Sequence, residues 1–172
     1  MFLKRILDRR PALFLANAGR GADHTTAAAN TAALIEVVAA HPGARILNSA
    51  DPDAPTGLQI ARTIANYMHH QWDEILLDDA GATGHGDHPW NFFPPIVLDT
   101  RASVALGYRP VGSYAQTVGV ELDWLLDDPA HRPADDDPRL ARFTDYAADD
   151  AFLRAHPAIQ TTADRPHLNP LP

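Results

Sequence analysis

The apolar positions of the chain alternate between helical spacing and short continuous runs. Residues 2–7 have helical spacing, and the run ALFLA at residues 12–16 is typical of a buried strand. Helical spacing returns at about residues 26–40 on an alanine-rich background. Short runs at residues 45–49 (RILNS) and 74–77 (EILL) predict two further strands. The first half of the chain therefore predicts helices alternating with strands.

Helix starts in the middle of the chain carry a recognisable capping signal. Thr56 and Ser113 are each followed three residues later by glutamine, which is the spacing of a capping box. A short helix is predicted between Thr100 and Gly107, after an extended segment at residues 96–98. Strands that alternate with helices predict α/β architecture, with a small sheet of parallel strands and flanking helices.

The rest of the chain is less regular. Residues 78–95 form a long polar stretch rich in glycine and proline. Loops of this length are more often functional or disordered than simple connections between elements. From Pro129 onward, proline and aspartate are frequent, one helix is predicted over residues 138–155, and the last fifteen residues predict a tail. We therefore divide the chain into a folded part, residues 1–127, and a partly helical C-terminal extension, residues 128–172.

Composition narrows the class of protein. The 172 residues are 45% hydrophobic and 21% charged, as in ordinary globular proteins, and suffice for one domain or part of a larger one. The net charge of −8 argues against a nucleic-acid partner. No apolar run approaches the roughly 20 residues of a membrane-spanning helix, and the N-terminus lacks the apolar core of a signal peptide. The absence of cysteine excludes disulfides and fits a cytoplasmic location.

The common enzyme signatures are missing from the sequence. It contains no dinucleotide-binding glycine fingerprint, P-loop, H-E-x-x-H motif or G-x-S-x-G elbow. None of the four tyrosines is followed by lysine four residues later, and Lys4 is the only lysine. A tyrosine–lysine proton relay is therefore excluded within these residues.

Histidine is the enriched reactive group. The segment HGDHPW brings together His85, Asp87 and His88, a donor set that zinc accepts. The simpler interpretation is a polar loop with solvated histidines, and substrate contact is favoured over metal binding as the functional alternative. Trp90, in the same segment, is predicted to pin the loop to the core or to line a pocket, and pinning is favoured.

Polar residues near the predicted strand ends are further candidates. Asn48 ends a predicted strand, where ligands bind in α/β proteins, although a turn-capping role fits equally well. Arg101 follows Asp99, and it predicts either an ion pair with that residue or an anion contact near a cleft. Trp124 lies close to the apolar stripe of its helix and is predicted to pack in the core.

Three segments within about residues 2–127 carry motifs whose order and spacing are those of one known protein family. FLKRILDRRPALFLANAGRGADHTTAAANTAALIEVV has a helix, a strand and a polar approach to the next helix, with His24 and Asn30 in that approach. ARILNSADPDAPTGLQIARTIANYM has a strand and a threonine-capped helix. VLDTRASVALGYRPVGSYAQTVGVELDWL matches a D-x-S/T-K/R-A…L-G-Y/W-x-P ending. Together they resemble the C-terminal half of the extended short-chain dehydrogenase/reductases, the NAD-dependent epimerase/dehydratase family.

The resemblance implies a specific organisation. Members of this family join an N-terminal Rossmann nucleotide-binding domain to a smaller substrate domain, and the glycine fingerprint and Tyr-x-x-x-Lys pair lie in the N-terminal half, which is absent here. The resemblance implies NAD or NADP in the complete enzyme, no cofactor and no catalytic residue in this chain alone, and that missing half as its partner. The substrate-contact residues that we predict are His24, Asn48, His88, Trp90 and Arg101.

One departure from the family pattern bears on the substrate. Nucleotide-sugar members carry a phosphate-binding arginine seven residues before the position of Asn30, and Asp23 stands there instead. A smaller carbonyl or sugar-like compound is therefore at least as good a substrate prediction as a nucleotide sugar. Two alternatives stay open: a free-standing, non-catalytic binding module, and a metal site built from His85, Asp87 and His88.

Overall fold

A computed structural model describes residues 1–78, 85–134 and 137–157. Its helices and strands largely follow the predicted order. Two short 3₁₀ segments, Ala16–Gly19 and Pro129–His131, complete the regular structure. The elements in chain order are α1 (Phe2–Leu7), β1 (Ala12–Leu15), α2 (Ala28–Ala40), α3 (Gly57–Tyr67), β2 (Asp73–Leu76), α4 (Arg101–Leu106), α5 (Tyr114–Asp127), α6 (Pro138–Ala141) and α7 (Tyr146–Ala155).

The sheet consists of two parallel strands. β1 pairs with β2 in a register that runs from Ala12 opposite Asp73 to Leu15 opposite Leu76. Every residue of β1 is buried, whereas β2 is half-exposed apart from Ile75. The predicted α/β class with a small parallel sheet and flanking helices is therefore confirmed, and it is compatible with part of a Rossmann-like fold.

Side chains alternate across β1, so the sheet packs on both faces. Leu13 and Leu15 join the larger core cluster, which contains the apolar faces of α1 and α3 and Leu122 of α5. Ala12 and Phe14 point to the other face and pack with Phe152 of α7. The continuous apolar run of β1 is explained by this burial on both sides.

The predicted strand at residues 45–49 is wrong. The segment pairs with no strand in the described structure, and Ile46 is 96% exposed. An apolar run forms a strand only where another segment supplies backbone hydrogen bonds, and no such bond to residues 45–49 occurs in the described ranges. The segment at 96–98 is extended as predicted, but its only ladder contact among the described residues is the bridge from Ile96 to Asp23.

Capping explains why two helices begin where the sequence predicts. In α3, Thr56 Oγ1 accepts a hydrogen bond from the Gln59 N–H and Gln59 Oε1 accepts one from the Thr56 N–H. Ser113 and Gln116 form the same capping box at α5. Each box satisfies amides that the first helical turn leaves without partners. Both predicted boxes are confirmed.

The C-terminal extension folds back onto the first part of the chain. The single helix predicted over residues 138–155 is instead two helices, α6 and α7. Two contacts explain the break: the Phe143 carbonyl accepts a hydrogen bond from Arg5, and the Asp145 side chain caps α7 by accepting from the Ala148 N–H. The predicted tail at 158–172 lies outside the described residues, and the division at residue 127 stays a prediction.

The helices in the described ranges are all short. The longest, α5, has 14 residues, whereas crossing a bilayer takes about 20. In the described part of the chain, no helix combines the length and apolar character that a membrane span requires. The predicted cytoplasmic location stays a prediction.

Candidate functional site

A cavity of about 620 Å³ lies between the start of α2 and one side of α5. Its volume is in the range of small-molecule sites, which is roughly 300–1,000 Å³. The walls combine aromatic rings, hydroxyls and carboxylates, supplied by Thr25, Asp51, Trp90, Tyr114, Thr117 and Glu121. We call this space the α2–α5 cavity.

Asp51 fixes the entry to α2 at one wall of the α2–α5 cavity. The side chain is 2% exposed. Its Oδ1 accepts hydrogen bonds from the Ala27 N–H at 2.8 Å and from Asn30 Nδ2 at 2.7 Å, and its Oδ2 accepts one from the Thr25 hydroxyl at 2.7 Å. Three donors for one carboxylate explain how the charge is accommodated under burial.

Asn30 links Asp51 to the segment before α5. The fully buried amide donates to Asp51 Oδ1 and to the Gly112 carbonyl at 2.8 Å. Its Oδ1 accepts from the Val111 N–H at 2.6 Å and from the Gly112 N–H at 3.3 Å. All four hydrogen-bonding positions of the amide are used. The two sides of the α2–α5 cavity are therefore held together through one side chain.

The electrostatics of the α2–α5 cavity are acidic to neutral. Asp51 and Glu121 line it, and no arginine, lysine or histidine is among its described lining residues. Burial and the nearby Asp51 carboxylate raise the pKa of Tyr114 to about 12, so its hydroxyl remains protonated at neutral pH and can donate a hydrogen bond. Such a lining suits hydroxyl and carbonyl groups better than phosphates.

Trp90 is the one predicted contact residue that lines the α2–α5 cavity. Its ring also stacks on Phe2 of α1, with centroids 5.6 Å apart and planes 17° from parallel. The tryptophan therefore pins its loop to the core and presents the rest of its surface to the cavity, which combines the two alternatives considered from sequence.

His88 lies under the first turn of α3. The ring is 2% exposed, and its centroid lies 6.0 Å from that of Phe2. A Cβ on Gly57 would lie 2.1 Å from His88 Cε1, so only glycine leaves room for the imidazole. Neither ring nitrogen has a hydrogen-bond partner among the described residues. Burial lowers the His88 pKa to about 4, against a smaller opposing effect of Asp87, so the ring is neutral at pH 7.

His24 and Asn48 meet at the extended segment before α4. His24 Nδ1 accepts from the Leu98 N–H at 3.0 Å, so Nε2 carries the proton that it donates to the Asp51 carbonyl at 2.9 Å. Asn48 Nδ2 donates to the Asp99 carbonyl at 2.9 Å. Both side chains brace this segment in the structure, and their predicted contact with substrate stays a prediction.

Arg101 forms the ion pair that the sequence offered as one interpretation. Its guanidinium donates to both carboxylate oxygens of Asp99, at 2.6 to 3.0 Å, and this contact holds the pKa of Asp99 down at about 2. The Arg101 side chain is 91% exposed. The structure thus groups His24, Asn48 and Arg101 around residues 98–101, apart from the pair Trp90 and His88.

The metal-site alternative finds no support in the geometry. His85 packs edge-on against Phe152 and lies 3.7 Å from Asp149, whereas His88 is buried beneath α3. Across the described ranges, no three histidine or carboxylate side chains converge as metal ligands. The interpretation of HGDHPW as a loop with solvated histidines is also wrong, because His88 is 2% exposed and the His85 side chain is 16% exposed.

Sequence reasoning missed most of the α2–α5 cavity. Neither Asp51 nor Tyr114 is among the contact residues predicted from the sequence. A buried aspartate has no local signature, because its partners come from distant segments. The prediction for Trp124 was wrong: the ring is 53% exposed and stacks on His131 at 4.0 Å instead of entering the core.

Comparison with known proteins finds a solved structure with a similar fold. No protein-family model matches the chain, and no curated protein matches it in sequence. The structure is similar to the crystal structure of UDP-glucuronic acid 4-epimerase from Bacillus cereus in complex with UDP-glucuronic acid and NAD, with a TM-score of 0.54 and 15% sequence identity. The match covers 73% of this chain and 38% of the epimerase. At this identity the likeness shows a shared fold.

Proposed function

We propose that this chain is the substrate-binding portion of an NAD(P)-dependent epimerase, dehydratase or reductase of the extended short-chain class. The observation that carries the proposal is the likeness in fold to an NAD-containing epimerase over 73% of the chain. The three sequence motifs that resemble this class, over about residues 2–127, support the same relation.

A second, nucleotide-binding half is part of the proposal. This chain spans 38% of the epimerase that it resembles, and its sequence contains neither a glycine fingerprint nor a Tyr-x-x-x-Lys pair. In the joined enzyme, NAD or NADP supplies hydride transfer at a substrate carbon. The residues of this chain bind and orient the substrate and exclude water from it. Alone, the chain is expected to be inactive.

The α2–α5 cavity is our proposed substrate site. Trp90 offers an apolar ring surface, the protonated Tyr114 hydroxyl can donate to a carbonyl or hydroxyl oxygen, and the carboxylate of Glu121 can accept from a hydroxyl. The acidic lining argues against a diphosphate, in agreement with Asp23 at the position of the family's arginine. We therefore propose an uncharged carbonyl or sugar-like substrate.

Replacing Trp90 with alanine is expected to weaken binding of such a compound about ten-fold or more, because one wall of the cavity is lost. The measurement is an NMR titration of the chain with unphosphorylated hexoses and small ketones, using UDP-glucuronic acid for comparison. Trp124→Ala is the matched control, since Trp124 stacks on His131 outside the cavity. Tight binding of the nucleotide sugar, or equal effects of both variants, would contradict the proposed site.

The proposed second half is tested by sequencing about 500 bases of coding DNA upstream of Met1, enough for the roughly 150 residues of one domain. We expect an in-frame segment that encodes a glycine-rich strand–turn–helix and a Tyr-x-x-x-Lys pair. If a stop codon and a ribosome-binding site stand directly before Met1 instead, a single joined enzyme is ruled out. Catalysis would then require a separate partner chain.

A free-standing binding module is the second candidate function. The specific observation in its favour is that α7 covers one face of the sheet, where Phe152 meets Phe14 edge to face with centroids 5.3 Å apart. A face that the protein covers itself does not need a second half to bury it. A cooperative, monomeric unfolding transition together with the upstream stop codon would favour this alternative.

A further inference from the structure

The two edges of β1 differ in what they contact. The carbonyls of Pro11 and Leu15 accept hydrogen bonds from the N–H groups of Asp73 and Leu77. Odd-numbered residues of this strand therefore point their backbone groups toward β2, and even-numbered residues point theirs to the opposite edge. Because β1 is apolar and buried throughout, it has the character of a central strand, and this opposite edge is where a larger sheet would continue.

Gly86 closes that opposite edge. The Ala16 N–H donates to the Gly86 carbonyl at 2.9 Å. A Cβ on Gly86 would lie 2.6 Å from the Ala16 nitrogen and 2.9 Å from the backbone of Leu15. Neighbouring strands in a sheet lie about 4.8 Å apart, so the Gly86 backbone occupies the place of the next strand at Leu15 and Ala16, the C-terminal end of this edge. A strand from a second half and Gly86 therefore exclude each other.

The segment carrying Gly86 is held from outside by the C-terminal helices. Asp149 of α7 pairs with Arg5 at 2.7 Å, and both side chains are about 95% buried, being 5% and 4% exposed. His85 lies between Asp149 and Phe14, and it also stacks edge-on against Phe152. We call residues 85–87 and 138–155 together the edge cover.

The edge cover is attached by charged contacts and by a small number of apolar ones. Asp149 is the only buried residue of α7, and α6 has none, although Phe143 between them is buried. The other contacts of α7 are mixed: Arg10 pairs with Asp150, the Tyr146 hydroxyl donates to Asp8, and the partly buried Phe152 packs on Phe14. Buried ion pairs contribute little net stability because desolvation offsets their attraction. Segments with few buried apolar contacts open before the rest of a protein unfolds.

We propose that the edge cover is a releasable device that closes the free edge of β1 and opens as a unit, with the Arg5–Asp149 pair as its latch. Opening uncovers the edge at which a nucleotide-binding half would add a strand. The identity of that strand rests on the proposed function, whereas the release of the edge cover does not.

Thiol reactivity tests the release in the 172-residue chain, which contains no cysteine of its own. Ala12→Cys reports on the covered side, and Ala61→Cys reports on the opposite core, where Ala61 is fully buried. Adding Asp149→Asn is expected to accelerate modification of the Ala12→Cys thiol by Ellman's reagent about ten-fold or more, with little change for Ala61→Cys. The exchange rate of the Ala16 amide should rise in parallel.

Asp123→Asn is the matched control for the latch variant. Asp123 is exposed on α5 and accepts from the Tyr67 hydroxyl, away from the edge cover, so this change should leave both thiol rates unaltered. Equal acceleration at both cysteines would show global unfolding and overturn the proposal, as would no acceleration at Ala12→Cys. Neither result depends on a cofactor or substrate, so the outcome is separable from that of the proposed function.

Discussion

Replacing Asn30 with aspartate is expected to lower the free energy of unfolding by about 4 kcal/mol, because it removes two donors and buries a second carboxyl beside Asp51. The amide nitrogen of Asn30 now faces Asp51 Oδ1 at 2.7 Å and the Gly112 carbonyl at 2.8 Å. A carboxylate oxygen in its place would face two acceptors. A loss of this size is a large share of the roughly 5–15 kcal/mol that stabilises a domain.

The expected result has a distinctive pH dependence. Two buried carboxyls within hydrogen-bond distance cannot both ionise, so the shared site takes up a proton in the folded state at a pH where the unfolded chain holds none. A folded-state pKa above the unfolded value confers stability that is lost as pH rises. The deficit of the Asn30→Asp variant, relative to the native protein at the same pH, should therefore shrink on acidification from pH 8 to 5.

Urea denaturation followed by tryptophan fluorescence measures both effects. Asn66→Asp is the matched control, since Asn66 is exposed on α3 and the same substitution there should change the unfolding free energy by less than about 0.5 kcal/mol. If Asn30→Asp is too unstable to fold, Asn30→Ala, which adds no charge, should still show a loss of about 3 kcal/mol. A loss no larger than that of the control would disprove the proposed role of Asn30 as a buried link.

Acidification is expected to destabilise the native protein through His88. The His88 pKa falls from 6.5 to about 4 on folding, mainly because burial disfavours the charged ring. Between these values the unfolded chain binds more protons than the folded one, so stability is fully present above pH 6.5 and is lost as pH falls toward 4. A lowering of this size corresponds to about 3 kcal/mol.

The variant His88→Leu isolates this contribution. Leucine fills a similar volume and does not titrate, so the difference in unfolding free energy between native and variant proteins should change by about 3 kcal/mol from pH 7 to pH 4. It also removes a buried ring N–H that lacks a partner in the described structure, so the variant should be at least as stable as the native protein at pH 7.

His41→Leu provides the matched control for His88. His41 is exposed at the end of α2, and its replacement should not diminish the loss of stability on acidification. Equal pH slopes for the native protein and His88→Leu would show that His88 is not buried in neutral form. Urea titrations at half-unit pH intervals give the required slopes.

Local signals in the sequence determined where most elements begin and what type they are. The capping boxes at Thr56 and Ser113 act over three residues. The continuous apolar run of β1 supplies apolar side chains to both faces of the sheet, and this is visible in the sequence of the strand itself. The α/β class and its parallel sheet follow from such signals. So does the absence of a tyrosine–lysine relay, because that depends on residue types alone.

Tertiary structure alone decided the rest, because each remaining feature depends on a partner far along the chain. The segment at 45–49 is apolar enough for a strand, but no backbone of the described residues pairs with it. Arg5 donates a hydrogen bond to the Phe143 carbonyl, at the break between α6 and α7, where local propensity alone would continue one helix. Asn30 reaches Gly112 across 82 positions, and His88 is buried only because Gly57 leaves room for its ring. The partners of backbone groups and of buried polar side chains come from distant segments of the fold. A local sequence pattern therefore cannot specify them.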